Sequence, residues 1–220
     1  MVILQGTMKT EIVYSDDKKE RFLLRKIWQE DAPIVSLIMS NPSGVADEVK
    51  IDMTTHYVIC NLRDLGQYGG VEILNMTSVI QPKISAKNGI KLTDTNLDFI
   101  LNSVKSTAKT IIAWGRIAEN SKVITAAQIK LLDMLKPFED KLFVISSKSG
   151  IGFHPLAPQA RFDWQLIPYE RPAYLYEKPI TEVVTGKSSE PSGDDFTAPL
   201  PDELFTHNKG KNSKKDTKTA

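Results

Sequence analysis

Two short polar segments, far apart in the chain, carry residue types from which a binding or catalytic site is built: Ser40-Asn41-Pro42-Ser43-Gly44 and Gly150-Ile151-Gly152-Phe153-His154-Pro155-Leu156. The first offers a carboxamide, a hydroxyl and several backbone N–H groups to a ligand; the same residue types also make an ordinary strand-ending turn. The second puts a histidine on a glycine-flanked loop, where an imidazole needs no core partner and can donate to developing negative charge. Trp114-Gly115-Arg116 adds a glycine that permits close backbone approach, with an indole and a guanidinium able to stack on a base. A tryptophan closing a core is the commoner use of that residue. Tyr68-Gly69-Gly70 supplies either a ring for the same rim or a structural turn, and Asp47, Glu48 and Asp52 follow the Asn-Pro turn. Those carboxylates could hold water or a cation, or could complement a helix dipole; Asp52 is the one kept as a site candidate.

Several chemistries are excluded by what the chain lacks. No glycine-rich phosphate loop with its lysine is present, so nucleoside triphosphate hydrolysis is not expected. No serine sits in a Gly-x-Ser-x-Gly turn, which removes the usual signature of a Ser-His-Asp hydrolase. The single cysteine, Cys60, allows no internal disulfide, and three histidines at 56, 154 and 207 do not form a metal-ligand cluster. Neither a metal nor a cofactor is therefore expected. His56 and Cys60 fall one turn apart in a predicted helix and read as packing or surface residues. A formal net charge of +1 gives no field that announces nucleic acid or a membrane. No stretch approaches the roughly 18 apolar residues of a spanning helix, and the short apolar opening is not a signal peptide, so the expectation is a cytoplasmic protein with no membrane partner.

The elements that must position these segments follow from hydrophobic periodicity. With 220 residues, 41% hydrophobic and 25% charged, the chain can bury one full core. Phe22 to Trp28 reads as a partly exposed strand and Ile34 to Met39 as a strand buried on both faces. Pro42 removes a donor and biases Asn41 away from helical geometry, so that strand ends in a loop. A helix is predicted over 54–65, a strand over 71–76, and a helix over 97–108 with cap chemistry in Thr93-Asp94-Thr95-Asn96. A buried strand over 109–114, an amphipathic helix over 126–135 and a strand over 142–145 complete the series. Alternating strands and helices imply right-handed crossovers, and the expected architecture is an α/β fold: a three-layer α/β/α sandwich with a mainly parallel central sheet. Ligands in such sheets bind at the carboxyl ends of the strands, which is where the candidate residues fall.

The domain reading is an N-terminal extension over 1–19, the α/β domain over 20–178 and a polar tail over 179–220 that cannot bury enough surface to fold alone. Its lysine-rich end, Lys209 to Lys218, is either a solvated terminus or a weak, salt-sensitive tether to nucleic acid.

The succession Arg21 to Trp28, Ile38 to Ser43, Tyr68 to Asn75, Ala113-Trp114-Gly115 and His154-Pro155-Leu156 resembles an uncharacterised bacterial and phage family known as a numbered domain of unknown function, over residues of about 20 to 157. A more distant likeness runs to the uracil-DNA glycosylase superfamily: an Asn-Pro turn after the first buried strand, an apolar strand ending in Trp-Gly, and a late His-Pro loop. That likeness implies a nucleobase N-glycosylase in which Asn41 orients water at the anomeric carbon and His154 bonds the departing base. Pro42, Ser43, Asp52, Tyr68, Trp114, Gly115, Arg116, Pro155 and Leu156 would line the substrate site, with Leu156 in the place of a wedge. The acidic water-activating motif of the uracil enzymes is absent, so the implied partner is a modified base in DNA or a nucleotide rather than uracil in duplex DNA. The alternative from another class is a non-catalytic nucleotide or nucleic-acid binding module.

Overall fold

The computed structural model describes residues 1–3, 5–81, 84, 90–116 and 121–176. The chain divides into Met1–Ile180 and Thr181–Ala220; the expected tail over 179–220 lies outside the described residues.

The first unit is an α/β fold in which eight strands form one sheet among the described residues, in the order β1(Lys9–Tyr14), β2(Arg21–Ile27), β4(Gly70–Asn75), β3(Ile34–Met39), β5(Lys109–Ile112), β6(Leu142–Ser147), β7(Gly150–Gly152), with β8(Gln165–Pro168) also on β6. Among the described residues three α-helices accompany it: α1(Met53–Asp64), α2(Asp94–Ser106) and α3(Lys122–Leu135).

The sheet is mixed, which corrects the expectation of a mainly parallel one. β3 pairs in parallel with β4 and β5, and β5 with β6. β1 with β2, β2 with β4, and β6 with both β7 and β8 are antiparallel. The physical reason lies in the connections. The chain between Ile27 and Ile34 is too short to hold a crossover helix, so β2 and β3 must run in opposite directions, and β4 is inserted between them. β1 falls in the segment read as an extension; its Lys9-Thr10-Glu11 start is polar because it is an edge strand with exposed positions.

Side-chain alternation divides the core in two. Leu23, Ile38, Leu74 and Ile112 pack with α2 and α3 residues such as Ile100, Val104 and Leu131. Their neighbours Leu24, Leu37, Ile73 and Ile111 pack with Val58 and Leu62 of α1 and with Trp164. Successive strand residues point to opposite faces, so both faces of the central strands are covered. Each fully buried Leu or Ile contributes about 1.5–3 kcal/mol of apolar transfer, which explains why the central strands read as near-continuous apolar runs.

Helix starts follow their caps. Asp52 accepts from the Thr55 N–H at α1, Thr93 from the Asn96 N–H at α2, and Ser121 from the Ile124 N–H at α3. The Ser121 cap starts α3 four residues before the predicted start at 126. Among the described residues no helix is long and apolar enough to cross a membrane.

One packing detail bears on the rim. Lys26 is 1% exposed. Its ammonium donates to Thr10 Oγ1 at 2.9 Å and to the carbonyls of Asp47 and Glu48, each at 3.4 Å, so a buried cation fastens the irregular 46–50 segment to β2. Burial lowers the Lys26 pKa, against the opposing charges of Asp47 and Glu48.

Candidate functional site

The carboxyl ends of β3, β4 and β5 are tied into one rim by hydrogen bonds that continue past the strands. Met76 and Thr77 N–H groups donate to the carbonyls of Met39 and Ser40, at 2.8 and 3.2 Å, and the Ala113 N–H donates to Ile38 at 2.8 Å. The buried Ser40 hydroxyl donates to the Trp114 carbonyl at 2.5 Å. β7 then folds back on β6, and the Gly115 N–H donates to the Phe153 carbonyl at 2.6 Å. Gly115 has a φ of +75°, a conformation that favours glycine, and a side chain there would reach to 3.8 Å from His154 Cβ. The Asn-Pro turn, the Trp-Gly turn and the His-Pro loop are thus linked in series on one side of the sheet.

Asn41 is half-buried, and its amide nitrogen is committed: it donates to the Gln81 carbonyl at 2.7 Å and, less directly, to Pro42 at 3.4 Å. Its carbonyl oxygen is the atom left to accept from a water or ligand. Ser43 donates to Asp52 Oδ2 at 2.5 Å while Asp52 Oδ1 takes the Thr55 N–H at 2.7 Å. Burial works to raise the Asp52 pKa, but the bonds from Ser43 and Thr55 and the charge of Arg21 outweigh it and hold the carboxylate below its ordinary range. It is an anion at neutral pH.

His154 is half-buried, and the Leu156 N–H donates to its Nδ1 at 3.1 Å. Nδ1 is therefore the acceptor, and the neutral ring carries its proton on Nε2. Burial pushes the imidazole below its ordinary pKa, and the Asp52 charge acts against that shift. Beside it lies a cavity of about 330 Å³ lined by Gly115, Arg116, Ile151, Phe153 and His154 among others; Asn41 is not in its lining. The exposed Arg116 guanidinium sits over the Phe153 ring at 4.9 Å. Pro155 is buried, and Leu156 is exposed at the mouth of this loop.

Two residues fall elsewhere. The Trp114 indole is sealed in the core on the α2 and α3 side, edge-to-face with Tyr169 at 6.3 Å, and offers no stacking face. Tyr68 precedes β4, whose first residue pairs with Ile34 while its last pairs with Met39. It therefore lies at the opposite end of the sheet from Asn41, about 20 Å away along the strands. Its carbonyl accepts from Trp28 Nε1 there. The Asp47 carboxylate accepts from the N–H groups of Val49 and Lys50 and closes a turn. Among the described residues no three His, Cys, Asp or Glu side chains group as metal ligands.

Sequence reasoning did not single out Asn75 and Arg21, two buried polar side chains with unpartnered atoms. Asn75 ends β4 beside Met39 and is 1% exposed, and neither atom of its carboxamide has a partner. A buried amide with donor and acceptor both unsatisfied costs about 1–3 kcal/mol per group; the carboxamide of Gln128 on α3 is in the same state. The signal was a carboxamide closing a strand, apolar but for Glu72, level with the Asn-Pro turn. Arg21 is 3% exposed; its Nη1 donates to the Ala46 carbonyl at 3.1 Å and its Nε is unpartnered.

Residues 21–156 match the model of a family described as a protein of unknown function, DUF1643. The chain belongs to that family. No curated protein and no solved structure matches it. The DUF1643 region begins at the buried Arg21 and ends at Leu156, so it contains all of the rim described above, including Asn75 and the Ser43–Asp52 pair.

Proposed function

We propose that this protein is a nucleobase N-glycosylase-like hydrolase acting on a modified base in DNA or on a nucleotide, on a three-layer fold of the uracil-DNA glycosylase kind. The observation that carries the reading is the desolvated, unpartnered carboxamide of Asn75 on the same strand-end rim as a neutral His154 with its proton on Nε2. A carboxamide presents one donor and one acceptor side by side, the complement of the adjacent C=O and N–H of a nucleobase amide edge. His154 Nε2 would donate to the base as it departs.

In the reaction the bond between the anomeric carbon and the base nitrogen breaks and its electron pair goes to the base. A water held by Asn41 Oδ1 forms the new bond to carbon and loses its proton to the departing base or to solvent. The ionised Asp52 would lower the cost of positive charge on the sugar. A nucleotide in duplex would have to be turned out of the stack to reach these groups.

One observation favours the second reading, a binding module without chemistry: both oxygens of Asp52 are already occupied by Ser43 and Thr55, and Asn41 cannot accept a proton. A gel assay for abasic sites separates the two. Oligonucleotides carrying uracil, hypoxanthine or alkylated bases are incubated with the parent and with Asn41→Ala, Asn75→Ala and His154→Ala. Cleavage by the parent that falls at least 100-fold in the variants supports glycosylase action. Binding without cleavage by the parent assigns the module, and neither binding nor cleavage overturns both readings.

A further inference from the structure

We propose that Arg21 and the main chain of residues 43–46 form a phosphate site at the carboxyl-end rim, and that the phosphate belongs to the nucleotide or nucleic acid whose base the rim reads. The site depends on the reading above only for the nucleoside attached to that phosphate. Arg21 is 3% exposed, and a guanidinium carries five N–H donors. One of them is spent: Nη1 donates to the Ala46 carbonyl at 3.1 Å, whereas Nε has no partner and Nη2 bonds to no described residue. The open edge is therefore the one formed by Nε and Nη2, two parallel N–H groups whose spacing matches two oxygens of a phosphate.

Among the described residues no carboxylate lies within ion-pair distance of Arg21. Asp52 acts on it through space, but both oxygens of that carboxylate are turned to Ser43 and Thr55. A buried cation without a contact counter-ion is far more costly to hold than a neutral amide such as Gln128, and an anion on its open edge would offset that cost. The turn supplies the other half of the site independently. Ala46 is 3% exposed and its carbonyl takes the Arg21 bond, while the N–H groups of Ser43, Gly44, Val45 and Ala46 donate to no described residue. Guanidinium and main-chain N–H groups are the usual donors to nucleic-acid phosphates. A carboxylate would be satisfied by the guanidinium edge alone; a phosphate has further oxygens for the main-chain donors, which makes it the class that fits. Asn41 lies on the same turn, so a phosphate held here would tether its sugar beside the carboxamide that holds water.

The test uses the full chain at constant ionic strength, with inorganic phosphate, thymidine, thymidine 5′-monophosphate and a short single-stranded thymidine oligonucleotide as probes. The Arg21 Nε–H resonance of the parent is followed by NMR, and saturation is read from melting temperatures in the parent, in Arg21→Lys, which keeps the charge and removes the fork, and in Arg63→Lys on the last turn of α1. Inorganic phosphate is expected to move the Arg21 resonance, and its half-saturating concentration is expected to rise at least tenfold in Arg21→Lys and to stay unchanged in Arg63→Lys. Thymidine 5′-monophosphate should bind at least tenfold more tightly than thymidine, a preference lost in Arg21→Lys. Tighter binding of the oligonucleotide than of the monophosphate assigns the phosphate to a nucleic-acid backbone, and the reverse assigns it to a free nucleotide. An Arg21 resonance that phosphate does not move, equal saturation in the parent and Arg21→Lys, or as large a loss in Arg63→Lys would each overturn the site. The resonance decides alone if Arg21→Lys does not fold. Phosphate held through Arg21 by a protein that cleaves no base would leave the site standing and remove only the glycosylase reading.

Discussion

Asp52 joins Ser43 to the first turn of α1, taking the hydroxyl on one carboxylate oxygen at 2.5 Å and the Thr55 N–H on the other at 2.7 Å. The loop that carries Asn41 is thereby locked to the helix that follows it. The charge of Asp52 also acts on His154, opposing the burial that lowers the imidazole's pKa. Replacing it by asparagine removes the charge and one of the strong bonds, so Asp52→Asn should cost about 1–2 kcal/mol of stability. Because the folded pKa of Asp52 is depressed, its contribution is present above the ordinary carboxylate range and is lost as pH falls through the folded value. Urea melts at pH 7 and pH 3 should therefore differ less for the variant than for the parent; an unchanged difference would remove Asp52 from the account of acid stability.

His154 titrates in a different window. Its folded pKa lies below the ordinary 6.5, so the unfolded chain binds the proton first, and the stability its neutral form contributes is full above 6.5 and declines as pH falls below it. His154→Gln should flatten the loss of stability between neutral pH and pH 5, and Asp52→Asn should lower the His154 pKa further. NMR titration of the imidazole reads both shifts, and a His154 pKa at or above the ordinary value would contradict the burial described here.

Asn75 makes the sharpest prediction because its two effects have opposite sign. Leucine has nearly the same volume and no polar atoms to desolvate. Asn75→Leu should leave the fold unchanged or stabilise it by about 1–2 kcal/mol. The same change should abolish recognition of any base by the rim. A loss of stability of several kcal/mol would show instead that the carboxamide is structural.

Gly152 tests how firmly the His154 loop is seated. A Cβ at 152 would stand 2.3 Å from Ala160 Cβ and 3.1 Å from its Cα, contacts that force backbone to move. Gly152→Ala should cost about 1–3 kcal/mol and displace the loop two residues on. At Gly115 there is space, and only the positive φ opposes a side chain, so Gly115→Ala should cost about 1 kcal/mol. Thermal melts that rank these two variants in the reverse order would argue against the tight β7 contact.

Much of the scaffold was legible because periodicity reports burial. Ile34 to Met39 read as a strand from its apolar run, and α1 and α2 were each placed to within a few residues by their caps and periodic faces. Strand direction was not legible, since Phe22 to Ile27 has the same composition whether it runs with or against its neighbours; the short link to Ile34 held that information. β1 and β8 escaped notice because edge strands carry polar residues, as Lys9-Thr10-Glu11 does. Among the candidate residues, Asn41, Ser43, Asp52, Gly115 and His154 lie on one rim, whereas Tyr68 does not: its Gly-Gly flank marks a turn without saying which end of the strand it closes. Asn75 and Arg21 were passed over because a polar residue in an apolar strand acquires meaning only when its partners, or their absence, can be counted.

The buried ammonium of Lys26 has one consequence for how this rim can evolve. It grips the Asp47 and Glu48 segment through main-chain oxygens, which every amino acid possesses. Mutation can thus re-letter the outer surface of that stretch, retuning what the molecule meets first, while the contour beneath stays moored by Lys26 and by Arg21, which holds the Ala46 carbonyl. The anchoring lysine has no such latitude: methionine in its place would strand two carbonyls, and a bulkier arginine would have to find room in a filled interior.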